Sequence, residues 1–325
     1  KIEQQVLVNL RRLDSLQFVG NLCLPQGMQV LKYIDIYISA RAGDSLSNLQ
    51  QTLRYVRDLN ITLLGVNSTR SLNTFSEFQI SSLTSLYSDL KFLNNATLPT
   101  LKYLKIYENN IHSIPNQTFH EMKSLTELMI FYESDFVFEK DSFYGLHKLK
   151  YLSIVCFSGR CMPKYLNRGV FLGLNNLKKL RIKQIQFPSL NAGAFHGLYN
   201  IQEIYLNHND IDKINAGVFG AECQEKFNLS CKNVTLPEYC NNTNALTTLK
   251  YLNLASNNIQ YIHPHAFIAC NNLETLNLNE NYFLTLDNTF LFTPALRTLN
   301  MMKCNITNIP DSTFECTPLL SKIDF

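Results

Sequence analysis

The chain of 325 residues carries 29 Lys and Arg against 26 Asp and Glu, a formal net charge of +3, and 46% of it is hydrophobic. That composition excludes a disordered chain and offers no excess of positive charge to point to a nucleic-acid binder. Charged residues are only 17% and glycines number 12, whereas there are 36 asparagines, a residue poor in helix and strand interiors that needs a structural purpose at this abundance.

From the N-terminus, a frame of the form L-x-x-L-x-L is present but weak. It reads LDSLQF from Leu13, LKYIDI from Leu31 and VRDLNI from Val56, and a further unit without a fixed register is expected near Phe75. From Leu101 the frame lengthens to L-x-x-L-x-L-x-x-N-x-I-x-x-I-x-x-x-x-F: LKYLKIYENNIHSIPNQTF from Leu101, IQEIYLNHNDIDKINAGVF from Ile201, LKYLNLASNNIQYIHPHAF from Leu249 and LRTLNMMKCNITNIPDSTF from Leu296. Further starts at Leu125, Leu149, Leu177, Leu273 and Leu320 give successive spacings of 24, 24, 28, 24, 48, 24, 23 and 24. The spacing of 28 assigns about four extra residues to the Cys156–Cys161 stretch, and the spacing of 48 reads as two periods, with a weak unit from Gln224 in the gap. The organisation expected is irregular N-terminal repeats over 1–100 and regular repeats over 101–325, with insertions near 156–161 and 223–240, in one continuous solenoid of about 12 or 13 units.

The frame has direct physical content. Pairs such as Leu104 and Ile106, or Leu252 and Leu254, alternate with outward residues, so each unit gives a short strand with one apolar face. Stacked units pair these strands in parallel. Asn109, Asn209, Asn257 and Asn281 stand at the ninth position, and Phe119, Phe143, Phe195, Phe219, Phe267 and Phe314 stand 18 residues after their repeat starts, where they fill the far side of the core. The final frame, from Leu320, ends at Phe325 with its apolar face open, and the opening KIEQQVLVNL lacks both an initiator Met and the pattern of a signal peptide. The expectation is a processed or truncated segment.

These units resemble the leucine-rich repeat family, in its extracellular 24-residue typical subclass, as in Toll and Toll-like receptor ectodomains and the small matrix proteoglycans. The resemblance implies an α/β solenoid: a leucine-rich repeat horseshoe with a parallel β-sheet on the concave face and a mostly irregular or short-helical convex side. It also implies that the ninth-position Asn amides turn inward to hydrogen-bond the backbone, and that Cys304 replaces one of them as a buried thiol. The function it implies is an extracellular ligand-binding ectodomain, a Toll-like pattern-recognition receptor that dimerises on ligand binding. The alternative is a secreted or matrix-associated adhesion protein without signalling.

An enzyme is not expected. The sequence has no G-x-G-x-x-G, G-x-x-x-x-G-K-[S/T] or G-x-S-x-G, and His263 and His265, the closest histidine pair, have no further ligands at metal-site spacing. No cofactor or metal is expected. Nor does any run of 18 apolar residues suggest a membrane-spanning helix. Binding therefore falls to the variable strand positions of the concave face, where Tyr107, Phe131, Tyr132, Tyr151, Lys179, Arg181, Lys183 and Tyr205 form an aromatic and basic surface suited to a protein or polyanionic ligand, with the lateral face as the alternative.

Eight sequons, at Asn60, Asn67, Asn95, Asn116, Asn228, Asn233, Asn241 and Asn305, point to extracellular maturation with N-glycans. Cys156, Cys161, Cys223, Cys231, Cys240 and Cys270 are the disulfide candidates: Cys156 with Cys161, and the others among themselves. If the Gln224 unit keeps the frame, Asn228 places a glycan on the concave face, which leaves the earlier repeats as the open surface.

Overall fold

Alternating apolar residues need a second apolar layer beneath them, and here each repeat supplies it to the next. The computed structural model describes residues 15–19, 33–39, 58–64, 79–86, 98–108, 113–133, 137, 139–158, 161, 166, 168–187, 189–219, 246–268, 270–283, 286, 290 and 293–325. Among these residues, thirteen strands make one parallel sheet on the concave face. They are β1 (Ser15–Val19), β2 (Tyr33–Ser39), β3 (Asp58–Leu64), β4 (Ile80–Leu86), β5 (Tyr103–Glu108), β6 (Glu127–Tyr132), β7 (Tyr151–Cys156), β8 (Lys179–Lys183), β10 (Glu203–Tyr205), β12 (Tyr251–Asn253), β14 (Thr275–Asn277), β15 (Thr298–Asn300) and β16 (Lys322–Asp324), hydrogen-bonded in that order. A ribbon of three two-residue strands, β9 (Ser189–Leu190), β11 (Lys213–Ile214) and β13 (Tyr261–Ile262), forms a second parallel sheet. Helix among the described residues is limited to a 3-10 turn at Asp311–Phe314, so the far side is irregular.

The register follows the frame. Leu104, Leu128, Leu152, Leu180, Ile204, Leu252, Leu276 and Leu299 lie side by side on successive parallel strands, and all are buried. Behind them the phenylalanines stack in a row: Phe119 on Phe143 at 6.3 Å, Phe143 on Phe171 at 6.1 Å, Phe171 on Phe195 at 6.1 Å and Phe195 on Phe219 at 5.2 Å between ring centres. These parallel rings contribute both apolar burial and offset stacking.

The ninth-position amides serve as backbone partners. Asn209 donates to the Ile182 carbonyl at 2.8 Å and accepts from the Ile185 N–H at 2.9 Å. Asn281 donates to Leu254 and Leu278 and accepts from Ile259. Cys304 is the buried thiol expected, its Sγ donating to the Leu278 carbonyl at 3.1 Å. Asn109 lies outside the described residues.

Three expectations are corrected. No strand of a Gln224 unit stands between β10 and β12, which are direct neighbours: Glu203 pairs with Tyr251 and Tyr205 with Asn253. The phenylalanine row likewise steps from Phe219 to Phe267 at 5.9 Å, and the Leu246 N–H donates to the Phe219 carbonyl at 3.2 Å. The spacing of 48 is thus one period plus an insertion, and the argument that Asn228 blocks the concave face falls with the unit. Second, the fourth strand belongs to a frame starting at Ile80 rather than near Phe75, because Ser82 pairs with Tyr103. Its sixth position is Ser85, a buried serine where the frame calls for an apolar residue. Third, Cys270 is a free buried thiol, not a disulfide partner, and its Sγ donates to the Phe219 carbonyl at 2.8 Å. Burial pushes that thiol's pKa up, so it is kept protonated.

Close stacking of the turns behind the sheet depends on glycine at one point above all. Gly197 has φ of +104°, and a Cβ there would lie 2.7 Å from the Phe171 carbonyl oxygen and 2.9 Å from its carbon, both rigid backbone. Gly197→Ala is expected to cost about 1–3 kcal/mol from the backbone conformation alone, with contact strain added, read as a lower urea midpoint.

Candidate functional site

The concave surface is built by the third, fifth and seventh frame positions. On β5 these are Tyr103, Lys105 and Tyr107; on β6, Glu127, Met129 and Phe131; on β7, Tyr151, Ser153 and Val155; on β8, Lys179, Arg181 and Lys183. The seventh-position residues Tyr107, Phe131, Val155 and Lys183 are paired in register across four adjacent strands. Neighbouring strands are about 4.8 Å apart, so this row runs from aromatic to cationic over about 15 Å. Ser153 and Val155, small residues in register between large ones, are recessed to 2% and 6% exposure and form the floor of the row.

Of the eight residues singled out for binding, the structure places seven on this face, all half-buried, and brings Tyr107, Phe131 and the β8 cations into one region. The eighth, Tyr132, is corrected: it is fully buried, and burial pushes its phenol pKa up. The cause is a change of strand parity. From the Leu177 repeat onward the eighth residue closes the strand in a left-handed conformation, with φ of 60° at Gln184, 61° at His208, 52° at Ser256, 58° at Glu280 and 59° at Lys303. In β6 and β7 the strand instead runs on to the eighth position, so Tyr132 and Cys156 turn inward by simple alternation.

The same switch exposes a residue that the sequence reading missed. The ninth position, inward in the Asn repeats, turns outward when the strand is longer, and in the Leu149 repeat it is Phe157, which is 50% exposed. Its N–H continues the ladder to the Tyr132 carbonyl at 2.8 Å. Phe157 stacks on Phe131 at 5.2 Å and 10°, and Phe131 stacks on Tyr107 at 4.4 Å and 9°, giving three parallel rings. Glu133 and Phe157 occupy ninth positions where the frame asks for Asn, but so does the buried Ile185, so the sequence alone does not mark the change. A disulfide between Cys156 and Cys161 closes a short ring that begins at Phe157, with Cα atoms 6.1 Å apart.

The cations on β8 are not equivalent. Lys179 Nζ lies 2.9 Å from Glu203 Oε2, donates to the Tyr205 hydroxyl at 3.3 Å and sits 4.6 Å from the centre of the Tyr205 ring, while the Tyr205 hydroxyl donates to Glu203. The Glu203 hydrogen bond raises the Lys179 pKa, and the same bond lowers that of Glu203. Lys179 is therefore locally neutralised. Arg181 and Lys183 have no ion pair among the described residues. His208 on the next repeat has its pKa lowered, first by burial and then by the Lys183 charge. Beyond β10 the face becomes neutral and polar, with Asn253, Asn277 and Asn300 at the fifth position.

Of the sequons, Asn116 and Asn305 are exposed and Asn60 is half-buried on β3, whereas Asn67, Asn95, Asn228, Asn233 and Asn241 lie outside the described residues. Cys223, Cys231 and Cys240 lie outside them too. No group of three His, Cys, Asp or Glu among the described residues is arranged to hold a metal, and no helix there is long and apolar enough to cross a membrane. His263 Nδ1 accepts the His265 N–H at 3.0 Å, a local turn contact.

Comparison with known proteins matches the repeats. A family model described as leucine rich repeat covers residues 163–211 and 247–306, and one described as a BspA type leucine rich repeat region covers residues 60–158; together they span more than half of the chain. Among solved structures, a chain of the Toll–Spatzle complex, described as a molecular hub in Drosophila development and innate immunity, is 16% identical with a TM-score of 0.61, over 96% of this chain and 43% of that one. A chain of the TLR13–ssRNA13 complex is 20% identical with a TM-score of 0.51, over 95% of this chain and 48% of that one. The chain spans less than half the length of these structures, and at such identities the likeness is one of fold.

Proposed function

The chain belongs to the leucine-rich repeat family, and from that premise we propose that it is the ligand-binding part of an extracellular Toll-like receptor, one that captures an anionic ligand on the concave face of β5–β8 and pairs with a second receptor when the ligand is bound. The observation that carries the binding site is the seventh-position row, in which stacked aromatics lead across adjacent strands to Lys183, with Arg181 beside it on β8, two cations without an ion pair among the described residues. Aromatic rings supply contact area at low entropic cost, and Arg and Lys steer an acidic partner and set its register. The complexes named for Toll with Spatzle and for TLR13 with ssRNA support a receptor that takes a macromolecular ligand. The Cys156–Cys161 disulfide and the exposed sequon at Asn116 support an oxidising, glycosylating compartment.

The test uses the glycosylated protein secreted from a eukaryotic host and fluorescein-labelled poly-L-glutamate as the anionic probe, followed by anisotropy at rising salt. The double reversal Arg181→Glu/Lys183→Glu is expected to weaken binding about tenfold or more with little change in melting temperature, because exposed charges contribute little to stability. Lys179→Ala is expected to do less, since its charge is already met by Glu203. Unchanged affinity in the double variant overturns the assignment of the site.

A further inference from the structure

The disulfide ring and the aromatic stack meet at one residue. Cys156 ends β7 fully buried, Cys161 is buried as well and bridges to Ile185, and between them Phe157 is held outward against Phe131. An exposed phenylalanine at the mouth of a covalently closed ring is a fixed apolar contact, because neither its backbone nor the ring plane has much freedom to lose on binding. Its stacking partners are themselves anchored: Phe131 packs against both Tyr107 and Phe157, which lie 6.1 Å apart in one cluster of near-parallel rings, and Val155 lies in register between Phe131 and Lys183.

We propose that Phe157 is the apolar anchor point for an acidic polypeptide partner, which seats a hydrophobic side chain against the exposed part of Phe157 while its carboxylates pair with Arg181 and Lys183. This rests on the concave-face assignment and specifies its ligand class. Polypeptide is favoured over nucleic acid by the form of the stack and by the charge. The three rings gather into one cluster, with every pair of centres within 6.1 Å, so they offer a single apolar patch rather than a series of platforms spaced along a strand for successive bases. Arg181 and Lys183 of β8 and Lys105 of β5 are the cations of β5–β8 without an ion pair among the described residues, and Val155 and Ser153 separate them, so they are too few and too scattered to follow a phosphate backbone. One apolar contact flanked by two cations matches a hydrophobic residue flanked by Asp or Glu.

The experiment compares three fluorescent probes on the secreted protein: a peptide of repeated Asp-Asp-Phe, one of repeated Asp-Asp-Ser, and an oligothymidylate of equal charge. The Phe peptide is expected to bind about tenfold more tightly than the Ser peptide, the worth of one partly buried aromatic contact. Phe157→Ala should erase that preference while leaving the charge-dependent binding common to both peptides, and Phe157→Tyr should restore it. Cys156→Ser/Cys161→Ser should also lose the preference, through loss of the ring that holds Phe157. Phe157 is exposed, so its variants report binding even if the cysteine pair fails to fold. A Phe preference that survives Phe157→Ala overturns the proposal. Tighter binding of the oligothymidylate, sensitive to Arg181→Glu/Lys183→Glu, also overturns it but leaves the concave-face assignment standing. Binding of no probe, or binding indifferent to the double reversal, removes both.

Discussion

Replacing Leu252 with Asp is expected to abolish cooperative folding of the repeats around β12, the largest effect of any single substitution considered for this chain. Leu252 is fully buried and stands in register between Ile204 of β10 and Leu276 of β14. Removing its side chain costs about 2–5 kcal/mol in lost burial and residual cavity, and a carboxylate adds the penalty of a buried polar group without partners. Because each repeat contacts only its neighbours, the damage also uncouples the repeats on either side. Urea unfolding followed by circular dichroism should show an early transition or no native baseline, whereas Leu252→Met, which keeps volume and apolarity, should stay close to the parent.

Asn257→Ala is expected to come next, at about 3–5 kcal/mol, from the buried groups it strands. The Asn257 amide donates to the Leu206 carbonyl at 2.9 Å and the Leu254 carbonyl at 2.8 Å, and its oxygen accepts the N–H groups of Asn209 at 3.0 Å and Ile211 at 3.1 Å. Alanine removes these four bonds, and a longer one to the Ala255 carbonyl at 3.3 Å, and gives nothing in return. Three of those partners lie on the preceding repeat, across the insertion, so this one side chain fastens β10 to β12 where the chain between them is longest. Asn257→Asp should rescue little, since it keeps an acceptor but removes both donors and introduces a charge. The check is the urea midpoint of both variants beside Asn281→Ala, which loses bonds of the same kind at a junction without an insertion.

Most of the scaffold is legible in the sequence because it rests on local, repeated chemistry. Apolar alternation sets the strands, the ninth-position Asn sets the turn, and Phe fills the far side; each recurs often enough for chance to be discounted. What was not legible lies where one repeat departs from the others. Ser85 interrupts the apolar frame of β4, so the period could not be continued upstream from Leu101. The 24 extra residues between Ile201 and Leu249 equal one period in length, and length alone cannot distinguish a repeat from an insertion; hydrogen bonding between β10 and β12 does. At the site, a parity rule carried over from the Asn repeats placed Tyr132 outside and left Phe157 unremarked. A strand that continues by one residue exchanges which of two neighbours is buried, so the whole error traces to β6 and β7 running on through the eighth position. The ion pairing of Lys179 was also hidden, since Glu203 meets it only across the sheet, 24 residues later in the chain.

Lysine acetylation read by mass spectrometry, with and without saturating poly-L-glutamate, tests most directly whether the early concave strands hold the ligand. Lys105 on β5 and Lys183 on β8 both stand on that face, while Lys123 behind the sheet and Lys213 in the second ribbon are exposed elsewhere. The account predicts protection of Lys105 and Lys183 with Lys123 and Lys213 unchanged. Protection of Lys123 or Lys213, with Lys105 and Lys183 still freely modified, would contradict it.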